Sequence, residues 1–147
     1  MSRPILLAWV AVWLLALPLA GCRDGNSLSM AKVNGTVTLD GAPLTKGSIR
    51  FVPDNSKGTR GPMATGQIGS DGKFVLMTTT PGDGAQVGSY KVVVSCWEET
   101  PFDPKNPKAS PPPKSLVPER YADERTSGLT AEVKSGAENE FTFNLKK

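Results

Sequence analysis

An all-β protein, an antiparallel β-sandwich of about seven short strands, is the fold class this sequence predicts. Three observations predict it. Apolar residues recur at alternate positions in short runs, and Gly, Pro, Asp and Asn punctuate those runs. Nowhere beyond Cys22 does a useful length of chain keep the 3.6-residue period of an amphipathic helix. With 147 residues, 38% of them hydrophobic, the chain has material for one ordinary domain.

The first element is not part of that sandwich. Met1-Ser2-Arg3 makes a short basic start, and residues 4–21 then run for 18 positions without a charge. That length lies at the lower limit for a membrane-spanning helix. A basic start, an apolar run and small residues before a cleavage point are instead the parts of an export signal. At its end, Leu19-Ala20-Gly21-Cys22 resembles the lipobox of bacterial lipoproteins. The resemblance implies that the Cys22 thiol is alkylated by a diacylglyceryl group and that a peptidase cuts just before it. Ala20 and Gly21 are small enough to admit that enzyme, and Pro18 disfavours helix continuation towards the cut. Residues 1–21 are therefore expected to be a lipoprotein signal peptide, and a membrane, held through Cys22, is the first expected partner. Each buried acyl CH₂ is worth about 0.8 kcal/mol, so two or three chains anchor firmly where one does not. The residue after Cys22 is Arg23 and not the Asp that retains lipoproteins in the inner membrane of some bacteria. This favours the outer membrane or the periplasmic face.

Residues 22–31 are polar and aperiodic and read as a tether, with the sandwich expected over 32–147. Val33, Gly35, Val37 and Leu39 point one way and Asn34, Thr36 and Thr38 the other, before Asp40-Gly41 supplies a turn. Ile49 and Phe51 alternate with Ser48 and Arg50 until Pro53 ends the run. Residues 63–69 form a weaker strand, and Ser70-Asp71-Gly72-Lys73 is a hairpin signal. Phe74 and Leu76 continue beyond it to the break at Pro81-Gly82-Asp83-Gly84. The strongest strand covers residues 90–97, with Tyr90, Val92, Val94 and Cys96 on one face and Val93 making the other partly apolar. Leu129, Ala131 and Val133, then Phe141, Phe143 and Leu145, complete the set.

One segment breaks the rhythm. Residues 98–114 contain six prolines in 17 positions. Proline removes backbone donors, so this stretch reads as an extended, polyproline-like loop that cannot join a sheet. Residues 115–128 follow, carrying both charge signs around Tyr121.

The runs Gly35-Thr36-Val37-Thr38-Leu39-Asp40-Gly41-Ala42-Pro43-Leu44 and Gly47-Ser48-Ile49-Arg50-Phe51-Val52-Pro53 resemble the opening of carboxypeptidase regulatory-like domains. Asp71-Gly72-Lys73-Phe74-Val75-Leu76 and Gly88-Ser89-Tyr90-Lys91-Val92-Val93-Val94 are similar to the hairpin and central strand that follow. Pro118-Glu119-Arg120-Tyr121-Ala122-Asp123 and Ser127-Gly128-Leu129-Thr130 are similar to small lipoproteins of planctomycete-type bacteria. The resemblance spans residues 32–145. It implies a seven-stranded, transthyretin-like Greek-key sandwich without catalytic activity, and it carries turn glycines and core residues but no binding residues.

Composition narrows the chemistry. The chain has no histidine, which excludes Ser-His-Asp and Cys-His nucleophiles, histidine metal sites and imidazole bases. Two cysteines, Cys22 and Cys96, exclude a disulfide framework and a cysteine-only zinc site. A net charge of +3 with scattered basic residues gives no nucleic-acid footprint. Hydrolases of transthyretin type that open urate-derived rings imply histidines and a Tyr-Arg-Gly-Ser end, which this sequence lacks. A serine nucleophile with a lysine base is not excluded by composition, but the serines sit in turns. The close carboxylate pairs, Glu98-Glu99, Asp123-Glu124 and Glu138 with Glu140, read as solvated charges. Asp71 and Asp83 offer calcium one ligand each without an Asp-x-Asp run. Residues 82–88 superficially suggest a phosphate loop, yet no helix follows. No cofactor and no metal are expected.

Trp97, Phe102 and Tyr121 remain as candidate binding residues, since aromatic faces on loops stack on sugars or proline-rich peptides. The simpler reading is that Trp97 and Tyr121 clamp the long loop onto the sandwich. Tyr90 is expected in the core, its hydroxyl tied to nearby backbone as in a tyrosine corner. The expectation is a lipid-anchored, non-enzymatic envelope module that contacts a protein or an envelope polymer. A carbohydrate-binding module with an aromatic platform is the alternative.

Overall fold

A computed structural model describes residues 29–99 and 112–147. The signal segment, the lipobox with Cys22, the tether up to residue 28 and Phe102 in the proline-rich loop lie outside the described residues. In chain order the strands are β1 (Met30–Ala31), β2 (Val33–Leu39), β3 (Ala42–Pro43), β4 (Ser48–Pro53), β5 (Ala64–Gln67), β6 (Lys73–Val75), β7 (Ala85–Gln86), β8 (Gly88–Ser95), β9 (Leu129–Val133) and β10 (Asn139–Leu145). Short 3₁₀ turns at Asn55–Lys57 and Glu119–Ala122 are the helical pieces among the described residues.

The strands form three sheets. One has the order β5-β4-β8-β9, a second runs β10-β2-β3 with β6 also on β2, and β1 pairs with β7. The alternation read from the sequence is what buries them. Val33 and Val37 of β2 and Phe143 and Leu145 of β10 face Ile49 and Phe51 of β4 and Tyr90, Val92 and Val94 of β8 in one core. Phe51 is its hub, with ring centroids 5.7 Å from Tyr90, 5.7 Å from Phe141 and 6.0 Å from Phe143. Such tilted and edge-on contacts add to plain area burial. Two four-stranded sheets packed across one core make the protein all-β.

The Asp40-Gly41 turn forms as expected, both residues at positive φ (51° and 86°), the backbone that a tight two-residue hairpin demands. It joins β2 to β3 with Leu39 opposite Ala42.

Four expectations change. Residues 30–31, expected in the tether, are strand: Met30 lies opposite Gln86, and the Val87 amide donates to the Ser29 carbonyl at 2.8 Å. The count of about seven strands holds only for those of three residues or more, because β1, β3 and β7 are two-residue ladders too short to show a period. The signal at residues 70–73 predicts a simple hairpin. The turn does form, with Gly69 and Lys73 joined at 2.8 Å and Thr65 bridged to Met77. Between those ties, however, β6 belongs to the opposite sheet and pairs with β2, so the hairpin links the two layers. Finally, the sheets are not purely antiparallel. β10 runs parallel to β2 over its full length, Asn139 opposite Val33 and Leu145 opposite Leu39. The link from β9 crosses between layers instead of folding back, and the buried Asn139 side chain fastens it. Its Oδ1 accepts from the Lys134 amide at 2.8 Å, and its Nδ2 donates to the Lys134 and Ala137 carbonyls.

The sandwich has two distinct ends. The chain enters beside β1, where β2 and β8 both begin, because β1 and β7 directly precede them and pair. At the opposite end lie Asp40, bonded to Leu145, Gly47, bonded to Ile68, and the exit of β8 at Ser95. Eight residues of β8 at about 3.3 Å each separate the ends by about 25 Å.

Candidate functional site

The candidate residues that the structure describes lie at the end far from β1. Strand alternation continues one step past β8. Cys96 points inward and is fully buried, so Trp97 points outward and is 49% exposed. An antiparallel return seats it. Trp97 bridges Ser115, the Glu98 amide donates to the Lys114 carbonyl at 2.8 Å, and the Leu116 amide donates to the Cys96 carbonyl at 2.8 Å. These bonds pin both feet of the proline-rich loop. On the returning foot the same alternation buries Val117 and exposes Leu116. The Ser115 hydroxyl donates to the Val117 carbonyl at 2.6 Å and fixes that bend.

The result is an open groove of about 620 Å³ with Trp97, Pro113, Leu116 and Pro118 as apolar lining and Lys114, Glu119 and Lys147 as charged lining. An indole beside a leucine and two prolines, bordered by cations and one carboxylate, suits an extended ligand that carries apolar and polar groups together.

Tyr121 has a different place. It sits on the 3₁₀ turn Glu119–Ala122 and is buried. Its hydroxyl accepts from the Lys146 amide at 3.0 Å and from the Arg120 guanidinium at 3.1 Å. That guanidinium also lies 4.6 Å over the ring. The Lys146 amide first, and then Arg120, hold the Tyr121 phenol below its ordinary value. As a member of an exposed aromatic platform Tyr121 is therefore corrected: its ring is covered and its oxygen is engaged. Among the described residues it fastens residues 118–128 to the end of β10, and Arg120 adds a bond to the Lys146 carbonyl. The platform expected from Trp97, Phe102 and Tyr121 retains Trp97 among the described residues.

The carboxylates do not converge. The Glu99 side chain is 93% exposed, 3.9 Å from Lys46. Asp123 is paired with Arg125 at 2.7 Å, and that side chain's hydrogen bonds are the main reason its carboxyl is lowered to about 2. Glu138 and Glu140 flank Asn139, which is the residue of the three that turns inward. Asp71 accepts from the Lys73 amide at 3.1 Å and shapes a turn. Asp83 accepts from the amides of Thr78, Thr79 and Thr80 at 2.6, 2.9 and 2.9 Å. Those donors, Thr78 first, lower it to about 2. Asp83 thus spends its carboxylate on the amides of residues 78–80, just before the loop at 82–88. Among the described residues no cluster of three or more His, Cys, Asp or Glu side chains is placed to hold a metal ion. No described helix is long and apolar enough to cross a membrane.

Sequence reasoning missed Leu116, Pro113 and Lys147 as groove residues. A signal for Leu116 exists: of two adjacent apolar residues on an extended foot, Leu116 and Val117, one has to face out. For Lys147 no local signal exists, because the chain terminus reaches the groove through the whole length of β10.

A second concavity, of about 510 Å³, lies where β5 and β6 part, and Gly66, Phe74, Val75, Met77 and Pro81 are among its lining residues. Comparison with known proteins adds no assignment to either site: no family model, no curated protein and no solved structure matches this chain.

Proposed function

We propose that this chain is a lipid-anchored, non-catalytic module of a bacterial cell envelope, exported and held in the membrane by acylated Cys22, that binds a protein or an envelope polymer at its Trp97 end. In this reading the domain is a transthyretin-like, carboxypeptidase regulatory-like sandwich, and its seven strands of three residues or more support that finer assignment. The observation that carries the binding role is the half-exposed indole of Trp97 in the groove at the loop feet, the far end from where the tether enters. A large apolar side chain left in water beside Leu116 is an uncompensated cost unless a partner covers it.

The test is emission from Trp97 in the processed protein, titrated with a fragment of the native envelope polymer and with the native envelope's soluble protein fraction. The module reading expects a blue shift that Leu116→Ser weakens and that Glu138→Gln, at the other end, leaves intact. A saturable response to short glycans would move the assignment to the carbohydrate-binding alternative. An indole that responds to none of them would overturn the binding role at this end.

A further inference from the structure

We infer that the β1 end of the sandwich is a bilayer-facing surface, on which Met30, Val75 and Met77 rest against the headgroup region while the Trp97 groove is carried at the opposite end. The inference builds on the lipid-anchor reading and adds to it which face of the domain meets the lipid.

Two observations carry it. The first is where the exposed large apolar side chains lie. Six are found among the described residues: Met30, Met63, Val75, Met77, Trp97 and Leu116. Trp97 and Leu116 form the groove at the far end. Met30 sits on β1, and Val75, 59% exposed, lies opposite Asn34 at the start of β2, with Met77 two residues further in the same direction. Val75 and Met77 therefore share the outward face of one extended segment and line one concavity with Pro81. Met63 lies apart, on the outer face of the β4–β8 sheet with Val52 and Val93.

The second observation is the length of chain between anchor and fold. Seven residue steps separate Cys22 from Ser29. Even fully extended they span at most about 25 Å. The β1 end is therefore kept at the membrane surface, and the far end stands about another 25 Å out when β8 is upright. Lys32, Lys134, Glu132, Glu138 and Glu140 give this end both charge signs, so no single-sign patch is formed by them. The contact is consequently apolar, made by flexible methionines and a valine that enter the headgroup layer shallowly.

The test uses the processed, acylated protein in vesicles of phosphatidylethanolamine and phosphatidylglycerol, with and without acyl chains brominated close to the headgroup. Trp97 is the one tryptophan left after cleavage at Cys22, because Trp9 and Trp13 belong to the signal segment. Two proteins are compared: the natural chain, which reports on Trp97, and the double variant Trp97→Phe, Met77→Trp, which reports on the β1 end. Flotation is measured first. Both proteins should float, and emission of the Met77→Trp reporter should fall on brominated vesicles while that of Trp97 stays unchanged. Floating protein in which Trp97 is quenched as strongly as the Met77 reporter, or in which neither is quenched, overturns the orientation and leaves the anchor standing. Protein that fails to float overturns the anchor reading, and the orientation falls with it.

Discussion

Tyr90 shows how one side chain joins the core to a backbone corner. Its ring packs on Phe51, and its hydroxyl donates to the Gln86 carbonyl four residues back at 2.6 Å. Burial pushes this phenol up to about 12. In the unfolded chain a tyrosine titrates near 10. Between those values the folded state keeps a proton the unfolded state has lost, so the stability contributed by neutral Tyr90 is complete below about 10 and is lost as pH rises through about 12. Tyr121, held below its ordinary value, acts in the opposite sense and below about 10, where the unfolded chain keeps a proton that the folded state has lost. The difference between natural chain and Tyr90→Phe therefore isolates Tyr90. The variant leaves the Gln86 carbonyl without its partner and should cost about 1–3 kcal/mol at neutral pH. On the alkaline side the gap between the two urea midpoints should close. A gap that stays constant into alkali would mean that the Tyr90 hydroxyl is not held as described. Two residue-scale expectations were readable in advance: Tyr90 is in the core, and Cys96, one residue past β8, sits on the face shared with Tyr90, Val92 and Val94, is buried, and has its thiol pushed up by that burial.

At the scale of elements, β2 is the strand on which pairing depends most, because β10 lies along one edge and β3 and β6 along the other. Gly35 stands where that crowding is greatest. It lies opposite both Phe141 and Phe74, and a Cβ there would collide with the Phe141 carbonyl and come within 2.8 Å of the Phe74 ring. Overpacking of this kind costs roughly 1–3 kcal/mol, so Gly35→Ala should lower the urea midpoint with little change in slope. Thr38→Ala, on the same strand, removes an exposed bond to Asn144 and should stay within about 0.5 kcal/mol. Equal effects from the two would contradict the β10–β2–β6 register. Strand existence was legible here because alternation is a local property: Val33, Val37, Ile49, Phe51 and Phe143 are read as inward and are inward. Partner choice was not. The turn at residues 70–73 is local chemistry and forms, but Phe74 and Leu76 are buried only if β6 leaves β5 and lies along β2. Nothing in residues 134–138 announces that β10 will run parallel to β2, since that follows from the core position of Phe141 and Phe143 around Phe51.

For the whole molecule, the distance between its two ends organises the function proposed for it. Trp97 was legible as a candidate from its aromatic face beside the proline-rich loop, and it is exposed because Cys96, one residue before it, turns inward. Tyr121 reads from the sequence either as a clamp or as part of an exposed platform, and the choice was not legible because what covers it, the Lys146 amide and the Arg120 guanidinium, combines a near neighbour with a backbone group 25 positions away. No window of sequence contains both. The chain enters at one end beside β1, and the groove lies at the other, so the proposed anchor at Cys22 and the proposed binding surface at Trp97 would not compete for space. The central claim is that anchor. Intact mass spectrometry of the protein extracted from the membranes of its native host tests it most directly, because one spectrum reports both the first residue and any added lipid. The account predicts a chain that begins at Cys22 and carries the mass of a diacylglyceryl group with or without a further acyl chain, and an uncleaved, unmodified precursor for Cys22→Ser. A membrane-bound chain that still begins at Met1 and carries no added mass would contradict it.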